Sequence, residues 1–251
     1  MLHFMTYGDH KFTNSKKRIV QEARNFGFDT CTVYSPDDLE PQFRNLFINI
    51  LRQPRIGGYG IWRPWLIKKK LGEIRDGDYL CYIDAGCTIN PTAHDRMKDY
   101  LRMLDQSDYG IISFQMTHLP EKWYTTEEIF QYFGVGNGVP LDGSQDTVVD
   151  DIRESGQILD GILIMKKCAH TEMLIDVWLK AVFDNPFMFT DIYNGIQTAS
   201  YFIDNRHEQS VFSVIRKKYG CVLLAKDETF TMPWGSPECM KYPIWATRIR
   251  G

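Results

Sequence analysis

The sequence predicts an α/β protein with a mixed, mainly parallel β-sheet flanked by helices. Two observations carry this prediction. In the first half of the chain, short apolar segments rich in β-branched and aromatic residues alternate with amphipathic helical patterns. The chain also has 251 residues, 43% of them hydrophobic, which is enough to bury one core without disulfides. We therefore expect a single domain over residues 1–251, with about 1–90 forming one half and about 91–251 the other.

The first half is expected to contain three strands and three helices. Gly27 follows the first apolar helical stripe and is a natural C-terminal stop, because glycine adopts left-handed backbone angles readily. Pro64 lacks an amide hydrogen, and a helix is therefore expected to begin just after it, at Trp65. The predicted strands are residues 2–7, 30–34 and 79–83, and the predicted helices are 14–26, 39–51 and 65–71.

The second half is less regular. Residues 117–156 are polar and rich in glycine, apart from a short helical pattern at 127–132. A loop of that length in a compact domain is usually functional, so we expect it to act as a lid. The predicted strands are residues 109–116, 157–165 (interrupted at 160–161) and 222–224, and the predicted helices are 91–104, 173–182 and 208–218.

Composition excludes several classes of protein. The net charge of −3 gives no general attraction to nucleic acid or acidic membranes. No apolar run is long enough for a membrane span, and the N-terminal residues lack the pattern of a signal peptide. None of the six cysteines forms a CxxC pair, and no Asn-x-Ser/Thr sequon occurs. We therefore expect a cytoplasmic protein with reduced cysteines. Neither GxGxxG after the first strand nor GxxxxGK[ST] is present, which disfavours dinucleotide oxidoreductases and P-loop NTPases.

Candidate site residues follow from the ends of the predicted strands. Ligands of α/β sheets bind beyond the carboxyl ends of the strands. Asp9 follows the first strand closely, Asp84 follows the third strand directly, and Asp160 interrupts an otherwise apolar strand. Glu208 opens a late helix. We expect these four acids to form a binding site beyond the carboxyl ends of the strands.

Four segments together resemble small GT-A-fold glycosyltransferases of surface-polysaccharide and viral glycan assembly, such as the glycosyltransferase domain of chlorovirus glycan-building proteins. YLCYIDAGCTIN resembles the DxD region of that family, with Gly86 in place of the second acid. The other three segments follow the family's order along the chain: GYGIWRPWLIKKKL, EKWYTTEEIF and RHEQSVFSVIRKKYG.

The resemblance implies a GT-A-like sheet and a nucleotide-sugar site in residues 1–90. Tyr7 would stack on the base and Asp9 would accept a hydrogen bond from the nucleotide. Arg63 would meet the diphosphate or the donor sugar, because guanidinium pairs well with phosphate. Asp84 would hold a divalent metal, Mn²⁺ or Mg²⁺, although Gly86 makes this metal less secure than the fold. The implied nucleotide-sugar residues are Thr6, Tyr7, Gly8, Asp9, Arg63, Asp84, Ala85 and Gly86.

The same resemblance places the catalytic and acceptor residues in the second half. Asp160 and Glu208 are the predicted catalytic acids, Glu208 orienting the site and Asp160 meeting the sugar or acceptor. The predicted contacts with the sugar or acceptor are Gln157, His207, Gln209 and Trp123.

The expected function is transfer of a hexosyl or deoxyhexosyl group from a UDP- or GDP-linked sugar to a carbohydrate acceptor, with retention of configuration. Two alternatives stay open. A non-catalytic nucleotide- or carbohydrate-binding protein on the same fold is compatible with Gly86. A sugar-nucleotide pyrophosphorylase would normally have a more glycine-rich loop than YGDHKFTNSKK after the first strand.

Overall fold

A computed structural model describes residues 1–136 and 152–249 of the chain. Within these residues, seven strands form one twisted sheet and two short strands form a separate ladder. The strands are β1 (Leu2–Tyr7), β2 (Thr30–Tyr34), β3 (Tyr79–Ile83), β4 (Thr88–Ile89), β5 (Ile111–Pro120), β6 (Gly156–Ile158), β7 (Ile162–Lys166), β8 (Val222–Leu224) and β9 (Ile244–Trp245).

The large sheet has the order β2-β1-β3-β7-β5, and the long strand β5 pairs with β8 along its first half and with β6 along its second. β1, β2, β3, β5 and β8 run in one direction, whereas β6 and β7 run against them. The predicted mixed, mainly parallel α/β sheet is therefore confirmed. The ladder of β4 with β9 was not predicted, because each strand has only two residues.

Helices cover both faces of the sheet. Along β3, Leu80 and Tyr82 belong to one apolar core and Cys81 and Ile83 to the other, as expected for a central strand whose side chains alternate between faces. The helices are α1 (Thr13–Phe26), α2 (Pro41–Leu46), α3 (Ile48–Leu51), α4 (Ile56–Tyr59), α5 (Trp62–Glu73), α6 (His94–Asp105), α7 (Glu121–Tyr124), α8 (Glu127–Tyr132), α9 (Ala169–Asp184) and α10 (Glu208–Tyr219).

Some predicted element bounds were wrong. The helix expected over residues 39–51 is divided into α2 and α3 at Phe47, whose backbone angles (φ −108°, ψ 18°) are not helical. Pro64 lies inside the first turn of α5 rather than before it, which is tolerated because the amides of the first turn lack partners within the helix. The predicted break at 160–161 is confirmed, since it separates β6 from β7.

The predicted 117–156 loop is more regular at its start than expected. β5 continues to Pro120, and α7 and α8 follow it. Residues 137–151 of the predicted lid lie outside the described residues, so its role as a lid stays a prediction. Among the described residues no helix is both long enough and apolar enough to cross a membrane.

Candidate active site

Four predicted site residues meet at one point of the structure, and we call them the Arg63 cluster: Arg63, Asp84, Asp160 and Glu208. The Arg63 side chain is buried, with 2% of the residue exposed. Its Nη2 lies 3.2 Å from Asp84 Oδ1. Its Nη1 lies 2.7 Å from Asp160 Oδ2 and 3.3 Å from Glu208 Oε1. One guanidinium therefore binds three carboxyl groups from distant parts of the chain.

The direction of β7 explains why Asp84 and Asp160 are neighbours. β3 and β7 pair antiparallel, with Ile83 opposite Ile162. The carboxyl end of β3 therefore meets the amino end of β7, and the Asp84 amide donates to the Gly161 carbonyl at 2.9 Å. The cluster consequently lies beyond the carboxyl end of β3, on the side of the sheet where ligands of such sheets bind.

Two glycines leave room for the cluster. Gly60 has a left-handed φ of +74°, and a Cβ there would lie 2.5 Å from Glu208 Cδ. A Cβ at Gly161 would lie 2.8 Å from Asp84 Oδ2. Any larger residue at either position would displace a carboxylate. Packing therefore requires glycine at positions 60 and 161, and the left-handed backbone of Gly60 favours glycine there as well.

The electrostatics of the cluster are unbalanced. Burial raises the pKa of Asp160, and burial with the nearby Asp160 charge raises the pKa of Glu208 to about 8. The carboxylates outweigh the effect of burial on Arg63 and hold its pKa well above the ordinary value. At neutral pH the cluster therefore contains a cationic Arg63 and a Glu208 carboxyl group that retains its proton.

The buried polar atoms of the cluster are incompletely satisfied. Among the described residues, both carboxylate oxygens of Asp160, Glu208 Oε2 and Arg63 Nε make no hydrogen bond of good geometry. Buried polar groups in folded proteins nearly always have such partners, and each exception needs an explanation. A ligand that supplies hydrogen bonds is one such explanation.

A cavity of about 260 Å³ opens beside the cluster at the start of α10. We call it the arginine cavity, because three arginines from separate segments contribute to its wall. Glu208 belongs both to this wall and to the Arg63 cluster, so the two features are continuous. The cavity is lined by Arg55, Ile56, Arg206, His207, Glu208, Gln209 and Arg248.

The residues after β1 are engaged by the protein itself. The Tyr7 ring stacks on Trp62, with centroids 3.6 Å apart and planes at 21°, and Tyr7 is only 9% exposed. Asp9 Oδ1 accepts from the Lys11 amide at 2.8 Å and caps a short 3-10 helix over residues 10–12. Thr6 is fully buried, and Gly8 is also buried. The contacts of these residues with a nucleotide stay predictions, and Tyr7 would have to leave Trp62 to stack on a base.

The predicted acceptor residues are divided between the cavity and the core. Gln209 lines the cavity, and its Nε2 donates to Gln157 Oε1 at 2.6 Å. Gln157 is fully buried and donates to Glu121 Oε1 at 3.1 Å, so it acts on the site through Gln209 rather than by direct contact. Trp123 is half-buried and does not line the arginine cavity.

His207 lies in the cavity wall and is strained. It has a φ of +62° and a ψ of −121°, an uncommon conformation for a residue with a side chain. Its Nε2 lies 2.9 Å from Asp191 Oδ1, and burial lowers its pKa, so the ring is neutral at pH 7. With 1% exposure, His207 holds the start of α10 against Asp191 and does not offer an open ring.

The carboxylates of the cluster do not fit a divalent metal as a set. Oxygens of all three face the Arg63 guanidinium, and Asp84 Oδ1 also accepts from Tyr82 Oη. A metal bound to those oxygens would lie against a buried cation, which like-charge repulsion opposes. Among the described residues no group of three or more His, Cys, Asp or Glu side chains is placed to hold a metal ion. The metal predicted at Asp84 stays a prediction.

The structure adds functional candidates that the sequence analysis missed. Arg206 stands next to His207 in the RHEQS segment, so proximity to a motif could have identified it. Arg55 precedes the GYG motif by three residues and reaches the same cavity. Arg248 lies in no motif of the sequence analysis. The pairing of β9 with β4 brings residues 244–249 to the arginine cavity, so Arg248 becomes part of its wall.

No family model and no curated protein matches the sequence. Solved structures do match the chain. A glycosyltransferase involved in the glycosylation of the major capsid of PBCV-1 gives a TM-score of 0.47 at 11% identity, over 97% of this chain and 92% of that one. Mouse xyloside xylosyltransferase 1, apo form, gives 0.47 at 11% identity, over 97% and 96%. The apo form of the glycosyltransferase GlyE of Streptococcus pneumoniae TIGR4 gives 0.45 at 11% identity, over 90% of this chain and 45% of that one. These three solved structures are glycosyltransferases, and each is similar to this chain over 90% or more of its length.

Proposed function

We propose that the chain is a GT-A-type glycosyltransferase that moves a sugar from a nucleoside diphosphate to a carbohydrate acceptor. The observation that carries the proposal is the Arg63 cluster beside the arginine cavity. A transfer site needs carboxylates next to the reacting sugar and cations next to the diphosphate that leaves. Carboxylates and cations stand side by side here, at the edge of the sheet where an α/β protein binds ligands.

The carboxylates of the Arg63 cluster are suited to stabilise the positive charge that develops on the transferring sugar. Positive charge develops at the anomeric carbon as the bond to the diphosphate breaks, and a preorganised carboxylate lowers the energy of that state. Asp84 has an exposed side chain (44%), and Asp160 lies behind it against Arg63. Arg63 holds both acids in place. These two residues are our candidates for electrostatic stabilisation of the transferring sugar.

Glu208 has a different role in the proposal. Its raised pKa means that it holds a proton at neutral pH, so it can donate a hydrogen bond to a sugar hydroxyl or to a diphosphate oxygen. Gln209, the next residue in the cavity wall, supplies an amide for the same surface. Both groups are neutral and would orient a substrate through hydrogen bonds.

The direct test is a panel of UDP- and GDP-linked sugars, with production of free nucleoside diphosphate as the measurement. Transferases without an acceptor slowly hydrolyse their donor, so no acceptor is needed for a first result. We expect one nucleotide family to give product with the wild type and much less with Asp84→Asn. Nucleotide binding without any product would favour the non-catalytic alternative, and release of a sugar 1-phosphate and a nucleoside triphosphate from added pyrophosphate would favour a pyrophosphorylase.

Retention of configuration belongs to the same proposal. With the active donor and a simple sugar acceptor, proton NMR of the first product reports the anomeric configuration before it can change. Product with the configuration of the donor is expected, and the opposite configuration would replace this part of the proposal while leaving the transferase function in place.

A further inference from the structure

Two of the three arginines in the arginine cavity have no ion-pair partner among the described residues. Arg55 is paired with Asp204 (2.7 Å) and Asp191 (3.3 Å). Arg206 and Arg248, in contrast, form no ion pair within residues 1–136 and 152–249. Burial lowers the pKa of Arg206, and the charge of Arg248 lowers it further, because like charges disfavour each other. Arg206 is half-buried and Arg248 is exposed, so both guanidiniums can meet an anion that enters the cavity.

Arg206 is held toward the cavity by its surroundings. Its guanidinium lies 3.8 Å from the centroid of the Tyr124 ring, a stacking contact that fixes the plane of the fork. Its backbone amide donates to Ser210 Oγ at 3.0 Å, in the first turn of α10. The cation and the amino end of a 12-residue helix therefore face the same space, and both favour an anion.

Arg248 is brought to the cavity by the 244–249 segment. The Ile249 amide and the Thr247 hydroxyl both donate to the Gly86 carbonyl, at 2.8 and 2.9 Å. Arg248 itself has a left-handed φ of +57°, an unusual conformation for a residue with a side chain, which tends to occur at functional sites. A Cβ at Gly86 would lie 3.4 Å from Arg248 Cα, so a longer side chain at position 86 would meet this backbone. The backbone of Arg248 therefore packs directly against position 86, the position of the second acid in the DxD pattern.

We propose that the arginine cavity binds the diphosphate of the donor, and that Arg206 and Arg248, rather than a metal held by carboxylates, neutralise its charge. This inference rests on the proposed function. It follows from two observations on the same edge of the sheet: three carboxylates that face a guanidinium, and two unpaired guanidiniums that face a cavity. Planar guanidinium forks match phosphate oxygens in pairs, so two of them can replace the charge of a divalent ion.

The test measures binding of inorganic pyrophosphate and of UDP and GDP by titration calorimetry in EDTA, and again with Mn²⁺. We expect pyrophosphate and one nucleotide to bind the wild type in EDTA, with an affinity that changes less than threefold with Mn²⁺. Arg206→Gln and Arg248→Gln should each weaken this binding at least tenfold. Arg102→Gln is the matched control, since Arg102 is an exposed arginine of α6 that pairs with Asp99.

Four outcomes decide the matter. Binding that requires Mn²⁺, or that keeps its affinity in both folded arginine variants, overturns the inference and leaves the transferase proposal intact. Pyrophosphate binding that depends on Arg206 and Arg248, without turnover of any nucleotide sugar, supports the anion site and removes the transferase. No binding of pyrophosphate or nucleotide at millimolar concentration, in a folded protein, overturns both. A loss that is equal in Arg102→Gln means a general effect of charge and also overturns the inference.

Discussion

The molecule contains two buried ionic groups that differ in how completely they are satisfied. In the core, Lys217 and Glu121 pair at 2.6 Å, and both side chains are fully buried. Glu121 also accepts from Ser213 and Thr125, and from Gln157 at 3.1 Å. At the edge of the sheet, the Arg63 cluster joins one cation to three carboxyl groups and leaves several oxygens without hydrogen bonds.

The difference separates a structural group from a functional one. A buried ion pair with every oxygen bonded resists change, because removing one partner leaves an uncompensated charge in the core. A cluster with an excess of like charge and unsatisfied oxygens is unfavourable for folding by itself and is explained by what it binds. Substitutions in the two groups should therefore affect different properties, stability in the first and turnover in the second.

The largest effect is expected from Lys217→Met. This change removes the cationic partner of the buried Glu121, and breaking a buried ion pair in this way typically costs about 3–5 kcal/mol. For a chain of this size that corresponds to a melting temperature lower by roughly 6–20 °C. Turnover per folded molecule should stay within about twofold. The double variant Glu121→Gln/Lys217→Met should recover much of the stability, and a failure to recover it would mean that packing, rather than charge, makes the pair important.

Asp160→Asn is expected to give the opposite result. Removing one preorganised charge from the Arg63 cluster should lower turnover roughly 10²–10³-fold. Its melting temperature should stay the same or rise, because a buried carboxylate with unsatisfied oxygens is lost. Asp95→Asn, an exposed acid in the first turn of α6, is the control and should change neither property. A destabilised Asp160→Asn with near-normal turnover would make the cluster structural, like the Lys217 pair.

Gly60→Ala tests how the cluster is shaped. The new Cβ would lie 2.5 Å from Glu208 Cδ, so Glu208 must move. We expect turnover to fall about tenfold, in addition to the roughly 1–2 kcal/mol that a left-handed backbone costs a residue with a side chain. Gly77→Ala is a matched control, because Gly77 also has a left-handed φ (+84°) but no atom within 4 Å of an added Cβ. Equal turnover in the two variants would show that Glu208 needs no exact position.

The last expected effect is a pH dependence of stability. Because the folded protein raises the pKa of Glu208 to about 8, it binds a proton that the unfolded chain releases above its ordinary pKa of 4.5. The stability that this proton supplies is fully present below that pH and is lost as pH rises to about 8. Glu208→Gln removes the titration. We expect the wild type to lose more stability than Glu208→Gln between pH 5 and 8.5, measured by thermal unfolding. Parallel pH profiles would mean that Glu208 is ionised in the folded protein.

Much of the fold could be predicted because the strands are short apolar runs between polar turns. β1, β2, β3 and β8 have the predicted bounds, and the break at 160–161 lies where Asp160 and Gly161 interrupt an apolar run. The direction of β7 was not visible in the sequence, because an apolar strand buried on both faces has the same pattern in either direction. That direction is what brings Asp160 to Asp84.

The sequence by itself determined which acids interrupt or end apolar segments, since a carboxylate at such a point is expensive unless it has a purpose. Asp84 and Asp160 were found in this way, Glu208 by its place at the start of a late helix, and Arg63 by a motif. Only the tertiary structure decided that the three acids share a single guanidinium, that Gly60 and Gly161 make room for them, and that Arg206 and Arg248 face one cavity. The physical reason is that charge balance depends on distances in space, and residues 63, 160, 206 and 248 become neighbours only after the sheet has formed.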